Sequence, residues 1–300
     1  MVDISASMVK ELREKSGAAM MDCKKALVEA AGDFEKAFEW LRQKGVAMAS
    51  KKSARTAAEG LIVGQVSEDG KKGVLLEINC ETDFVARNEQ FVELTKQISE
   101  AALQSQPKSV EELLKAKAQG GTVEALVTEA IAKTGENIVV RRLASFQLGS
   151  KNGLIGLYVH ALGGKMGALI EVEANGPVAP DKLGNAVREL AMHIVFAKPQ
   201  FLERSQVPAD VVENERRIES GKADLADKKP EIREKIVSGR VDKIFAERCL
   251  MDQPFVRDSA ITAGKYLSQK GGELGVTLKP THYALFILGE VAESSNGSGE

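Results

Sequence analysis

Val74-Leu75-Leu76-Glu77-Ile78-Asn79-Cys80-Glu81-Thr82-Asp83-Phe84-Val85-Ala86-Arg87-Asn88 changes its period partway along. Val74, Leu76, Ile78 and Cys80 alternate, the repeat of a strand with an apolar face. Glu68-Asp69-Gly70-Lys71 supplies a turn before it, and Leu61 and Val63 mark an incoming strand, so the segment reads as the return arm of a hairpin. Past Cys80 the pattern becomes helical, with Phe91, Leu94 and Ile98 on one face. Strand hairpin followed by helix is the unit of an α+β fold.

The turn between them, Thr82-Asp83-Phe84-Val85, admits two readings. In the first, Thr82 or Asp83 caps the helix and Phe84, seven residues before Phe91, staples the first turn to the core. In the second, Phe84 stands exposed at the corner beside a carboxylate, an apolar probe suited to a partner's pocket.

Working outward, a second hairpin runs from Leu154 to His160, turns at Gly163-Gly164-Lys165 and returns over Ala168 to Val172. A helix over roughly 122–133, stopping near Gly135, and a strand at 138–140 precede it. A helix from Asp181 follows, with Leu183, Val187, Leu190 and Ile194 inward and Pro199 at its end. Residues of about 208–250 are dense in both signs of charge and predict a helical hairpin with a polar break from Gly221 to Pro230. Its seam would use Val211, Ile218, Ile232, Ile236 and Phe245. A helix at 259–269 and a strand at 281–289 close the chain, and the Ser/Gly/Asn-rich tail is expected to be disordered. Upstream, residues 1–55 predict three short helices. Val9 and Leu12 edge the first, Asp22 to Gly32 bounds the second, and Asp33 caps a third with Phe34, Ala37, Phe38 and Leu41 on one face. So little apolar material suits a docking module, followed by a basic linker or fraying helix end over Lys51 to Thr56.

Composition narrows the function. With 43% hydrophobic and 28% charged residues the chain is globular, and its net charge of -2 lacks the basic excess of a phosphate-binding protein, so DNA is not an expected partner. Aromatics at 5% are too few for base-stacking platforms. Cys23, Cys80 and Cys249 form no C-x-x-C pair and read as reduced thiols of a cytoplasmic protein. There is no signal-peptide pattern and no apolar run of membrane-spanning length.

No phosphate loop, nucleophile elbow or His-Glu-x-x-His is present, so neither an enzyme, a bound cofactor nor a resident metal is expected. His193, among Ala191, Met192 and Ile194, reads as a packed helix residue. Gly163-Gly164-Lys165 joins two strands and opens no helix, which argues for a plain turn over a phosphate cradle. Two minority readings stand beside these. One is a scaffold that binds RNA or the ribosome through the 208–250 hairpin. The other is a metal-dependent hydrolase using Asp83, His160 and His193.

Longer blocks carry a family resemblance. Leu12-Arg13-Glu14-Lys15 and Gly17-Ala18-Ala19-Met20-Met21-Asp22-Cys23-Lys24-Lys25-Ala26-Leu27 closely resemble the N-terminal signature of the elongation factor Ts family. Glu77 to Ala86 resembles its second signature. Gly135-Glu136-Asn137-Ile138 with Arg141-Arg142, Ala191-Met192-His193-Ile194, Lys198-Pro199 and Gln253-Pro254-Phe255-Val256 are further matches. The resemblance implies a ubiquitin-associated-like domain over 1–55 and a core of two α+β subdomains with antiparallel sheets, 56–143 and 144–290. The second carries a helical-hairpin (coiled-coil) insertion at about 208–250, and the disordered tail is 291–300.

It also implies guanine-nucleotide exchange on the GTPase elongation factor Tu, with no GTP or GDP pocket in this chain. By similarity, Thr82, Asp83, Phe84 and Val85 wedge beside the GTPase's nucleotide-bound magnesium, while Arg13, Met20, Met21, Gly135 and His160 dock. A homodimer and a heterotetramer both stay open. Two departures stand out: Thr134 where members often carry an apolar residue, and a short polar tail after Glu290 where some have a helical module.

Overall fold

The computed structural model describes residues 4–149 and 151–290, so the tail 291–300 lies outside the described residues. Three helices come first: α1 (Ala6–Ser16), α2 (Met20–Glu29) and α3 (Phe34–Lys52). They enclose Val9, Leu12, Cys23, Ala26, Leu27 and Ala37, with Phe34, Phe38 and Leu41 packed against this cluster. Asp33 caps α3 by accepting from the amides of Glu35 and Lys36 at 3.0 and 3.2 Å.

The second helix differs from its expected bounds. It starts at Met20 behind an extended Ala19, so Asp22 lies inside the first turn and ion-pairs with Lys44 on α3. It ends at Glu29, and Gly32 N–H reaches back to the Leu27 carbonyl at 2.8 Å, a Schellman-type closure. Of the basic stretch Lys51 to Thr56, read as a linker or a helix end, Lys51 and Lys52 close α3, so the helix-end reading holds to Lys52. The last turns of α3 lie on the next layer, where Gly45 faces Ala132 and Ala49 joins the apolar cluster beyond.

Two strands follow, β1 (Glu59–Val66) and β2 (Lys72–Cys80), then the short α4 (Asp83–Ala86) and the long α5 (Glu89–Ser105). Residues 106–121, for which the sequence suggested no element, hold α6 (Val110–Lys115) and most of the small pair β3 (Lys117–Ala118) and β4 (Gly121–Thr122). Next come α7 (Val123–Thr134) and β5 (Val139–Gln147), the latter much longer than the three residues expected. The second sheet begins with β6 (Gly153–Val159) and β7 (Met166–Ala174), and α8 (Pro180–Ala197) crosses it. The helical hairpin is α9 (Ala209–Ser220) and α10 (Pro230–Arg248). The chain closes with β8 (Pro254–Phe255), β9 (Asp258–Thr262), α11 (Ala263–Leu274) and β10 (Leu278–Ile287). The helix expected at 259–269 therefore starts later, at the Thr262 cap, because 258–262 pairs with β8.

Both three-stranded sheets are antiparallel, in the orders β1-β2-β5 and β10-β7-β6. The class is α+β, as expected. Alternation along β2 and β7 sets the layers. Val74, Leu76, Ile78 and Cys80 face α5 and α7, and Ala168, Ile170 and Val172 face α8 and α11. The opposite faces meet each other through Ile62, Leu75, Ile155, Leu169 and Phe286. The result is four layers: helices, sheet, sheet, helices. Two glycines permit the close approach of the sheets. A Cβ at Gly73 would sit 2.5 Å from Ile155, and one at Gly167 would sit 2.9 Å from Ile62.

The seam of the helical hairpin departs from the expected stripe. Ile218 and Ile232 are about half exposed, while Leu225, in the connection taken as a polar break, is fully buried. Leu225 packs with Val237, Val241 and Phe245, so the connection folds back over the helices as a plug.

Candidate functional site

The turn at 82–85 is built from two distant pieces of chain. β2 ends at Cys80, Thr82 is extended (φ -124°, ψ 154°), and its hydroxyl accepts from the Val85 amide at 3.4 Å as the cap of α4. The second piece is the segment after α7. Gly135 ends that helix in the left-handed region (φ 77°), and this reversal presents Glu136 to the turn. One Glu136 carboxylate oxygen accepts from the amides of Glu81 and Thr82, both at 3.0 Å, and the other accepts from the Thr82 hydroxyl at 2.6 Å. Glu81 returns the contact by accepting from the Asn137 amide at 2.6 Å. Arg55 pairs with Glu81 at 3.5 Å and gives its carbonyl to the Asn137 side chain at 2.8 Å. Lys52 donates to the Gly135 carbonyl. The turn is thus gripped on its backbone by charge-assisted bonds that leave the side chains of Asp83 and Phe84 free to project.

Phe84 is 83% exposed. This overturns the staple reading for Phe84: the helix is capped by Thr82, and Val85 and Ala86 meet the core in its place. Asp83 pairs with Arg87 at 3.1 Å, both partners well exposed. Cys80, behind the turn, is buried and donates to the Thr82 carbonyl at 3.2 Å. Burial, with Glu136's charge nearby, pushes its thiol up to about 12, so it is an uncharged strut and no nucleophile.

The remaining candidates fall into two groups. Arg13 is exposed in the last turn of α1, and Met20 and Met21 are exposed at the start of α2. The corner between those helices, Gly17, lies against Lys133 in the last turn of α7, next to Gly135. The N-terminal helices and the turn therefore meet at one end of α7. His160 directly follows β6 of the second sheet, half-buried, with its Nδ1 3.1 Å from the Tyr158 hydroxyl and its ring edge-on to Phe196 at 5.4 Å.

His193 is elsewhere and committed. It is fully buried, its Nε2 hydrogen-bonds Gln253 Oε1 at 3.0 Å, and its Nδ1 accepts from the Val256 amide at 3.2 Å. Gln253 donates in turn to the carbonyls of Ala197 and Glu247 at 3.1 and 2.8 Å. These bonds explain the Ala191–Ile194 and Gln253–Val256 blocks as a latch between α8 and the end of α10. They also remove His193 from the hydrolase reading. Among the described residues no group of three or more His, Cys, Asp and Glu could hold a metal ion.

Burial holds the His193 imidazole below its usual value of 6.5. The sign follows from proton uptake: below about pH 6.5 the unfolded chain binds a proton that the folded chain refuses. Stability from this site is complete above 6.5 and is lost as pH falls through and below it. The expected result is a denaturant midpoint that drops between pH 7 and pH 5.5, and drops less in His193→Asn, which starts lower.

Glu136, which grips the turn, Arg87, which pairs with Asp83, and the exposed Leu162 were not singled out from the sequence. Glu136 had a signal, a carboxylate directly after a helix-ending glycine, although its target lies over fifty residues upstream. Leu162, at 82% exposure in the β6–β7 turn, had only its odd placement beside two glycines.

The RNA reading of the hairpin fares poorly. Residues 208–250 hold ten acidic and ten basic side chains. Arg216 pairs with Glu234, Arg240 with Asp224 and Arg248 with Glu215, so many of the cations are already neutralised by neighbours.

Known proteins match this sequence over nearly the whole chain. A family model described as Elongation factor TS matches residues 81–290. The chain is 46% identical over 294 residues to elongation factor Ts of Clostridium perfringens, covering 97% of this chain and 94% of that protein. It is 43% identical over 295 residues to that of Symbiobacterium thermophilum, 98% and 94% of the two. For that of Nostoc sp. the figure is 42% over 304 residues, 99% and 96%. The matched span holds both the Asp83-Phe84 turn and the Glu136 segment that grips it, and the chain belongs to the elongation factor Ts family.

Proposed function

We infer that this chain promotes GDP release from elongation factor Tu, the exchange activity of its family, by presenting Phe84 and Asp83 to the GTPase beside its nucleotide-bound magnesium. The observation that carries this reading is an aromatic ring, 83% exposed, on a turn whose backbone is fixed from the other side by Glu136. A globular protein gains nothing in water from such a ring, and the cost is offset only when a partner covers it. Asp83 brings a carboxylate to the same tip, where it competes for the ligands of a cation. No bond is made or broken; exchange is a coupling of two binding equilibria, in which the factor weakens nucleotide and nucleotide weakens the factor equally.

The division of labour is part of the proposal. Residues 1–55, a ubiquitin-associated-like module, dock through Arg13, Met20 and Met21, and the exposed pair of methionines at the start of α2 favours this. Residues 56–143 and 144–290 are the two core subdomains, with Gly135 and His160 as further contacts and the helices of 208–250 as an appendage. Each has an apolar cluster of its own. No helix among the described residues is long and apolar enough to cross a membrane, and the proposed place of action is the cytoplasm, where translation factors work.

The test is release of labelled GDP from purified elongation factor Tu. The chain accelerates release, and Glu136→Ala, which frees the turn without touching its exposed side chains, lowers the acceleration about ten-fold. That figure corresponds to about 1.4 kcal/mol, the low end for charged hydrogen bonds at a half-exposed site. A chain that leaves release unaltered refutes the reading.

A further inference from the structure

We propose that Leu162 is a second apolar anchor for the same GTPase, one that sets affinity while Phe84 acts on the nucleotide site. Phe84 and Leu162, at 83% and 82%, are the two most exposed large apolar side chains among the described residues. They follow strands of different sheets, β2 and β6, yet Asp83 and Leu162 line one open groove, floored by Gly60 and Leu61 of β1. The groove's other walls carry the Asp83–Arg87 pair and the Lys165–Glu59 pair, at 3.1 Å each. An apolar tip inside a rim of paired charges, next to the exposed Phe84, is the layout of a protein-binding patch.

The turn that carries Leu162 is fixed. His160 N–H donates to the Met166 carbonyl at 2.9 Å, and Gly164 N–H donates to the His160 carbonyl at 3.2 Å. The turn is also tied to its surroundings, because Ile62 N–H donates to the Gly164 carbonyl at 2.7 Å and Leu288 N–H to the Lys165 carbonyl at 2.8 Å. Gly163 and Gly164 take φ of 81° and 58°, and a Cβ at Gly164 would lie 3.1 Å from Leu61, so the geometry leaves glycine little substitute. With its backbone held on both sides, the turn cannot fold Leu162 back onto the sheet. Backbone ordering of the turn needs no partner, which lowers the cost of a strong single-residue contact.

The occupant follows from continuity. The inference rests on the reading of Phe84 as the residue that enters the GTPase, and a partner seated over its neighbour Asp83 lies over the groove that Leu162 also lines. The expected contact on the partner is apolar, in keeping with an exposed leucine at the tip of the turn, just before Gly163 and Gly164.

The experiment measures GDP release from elongation factor Tu as a function of factor concentration for the unaltered chain, Leu162→Ala, Leu162→Met and Phe84→Ala. Support is a rise of about ten-fold in the half-saturating concentration for Leu162→Ala, recovery in Leu162→Met, and release at saturation close to that of the unaltered chain. Unfolding midpoints should not move, since Leu162 touches nothing that folding needs. An unchanged half-saturating concentration in Leu162→Ala, with Phe84→Ala still impaired, overturns this proposal and leaves the Phe84 reading standing. Silence in both variants overturns both. A self-associated chain that Leu162→Ala dissociates, with exchange unaltered, overturns it in favour of contact with a second copy.

Discussion

Phe84→Ala is expected to lower accelerated GDP release ten- to a hundred-fold while leaving the unfolding midpoint where it was. The two halves of that result have separate causes. Folding is untouched because the ring makes little of the core: Phe84 is 83% exposed, whereas Phe91, seven residues on, is 1% exposed and belongs to the cluster under the sheet. Exchange suffers because burial of a phenylalanine side chain in a partner is worth about 1.5–3 kcal/mol, and each 1.4 kcal/mol of coupling is a factor of ten. By reciprocity, coupling lost from nucleotide release reappears as a factor that binds the nucleotide-loaded and nucleotide-free GTPase more equally. Titrating the factor against both forms checks this. Asp83 complements the ring. Its partner Arg87 is exposed, and such a pair contributes less than about 1 kcal/mol, so the carboxylate can be drawn off toward a cation at small cost. Unchanged release at unchanged folding would remove the ring from the mechanism.

Phe84 also shows where sequence patterns stop. Phe84 and Phe91 share a helical spacing, and a staple and a probe produce the same letters. What separates them is Glu136, which holds the turn from the far side and lies beyond the reach of any local window. The same limit explains β2. The alternation of Val74, Leu76, Ile78 and Cys80 was legible and identified a strand with a buried face. That Leu75, Glu77 and Asn79 are buried too depends on a second sheet contributed by residues 153–287. Likewise, the helical hairpin was legible as two helices, but its seam was not. Leu225 sits in a stretch otherwise polar, and only the folded connection brings it over Val237 and Val241. The proposed docking residues Arg13, Met20 and Met21 came from resemblance, because an exposed methionine and a core methionine have the same local spacing.

The buried face of β2 leads to the largest stability effect expected in the molecule, from Glu77→Ala. Glu77 is fully buried, and Arg142 donates to it through Nε at 2.6 Å from the neighbouring strand. That meeting depends on a bulge. Glu77 is paired with Arg142 and Ile78 with Val140, which leaves Arg141 unpaired and turns Arg142 inward. The guanidinium also donates to the Ile287 carbonyl at 2.9 Å and lies 4.4 Å from the Phe286 ring centre, both on β10. Glu77 accepts from the Gly289 amide at 3.2 Å as well. One ion pair thereby ties the first sheet to the last strand of the second. Removing the carboxylate strands a largely buried cation and a backbone amide, a loss of about 3–5 kcal/mol by the measure of broken buried pairs. The denaturant midpoint should fall accordingly, and Glu77→Ala combined with Arg142→Met should recover part of the loss, because no charge is then left unpaired. Exchange per folded molecule should hold, since Glu77 faces the second sheet and the Thr82 turn is gripped from the other side by Glu136. A cost below about 1 kcal/mol would mean that water reaches Arg142, and the apolar layer between the two sheets would then not be closed at its β10 end.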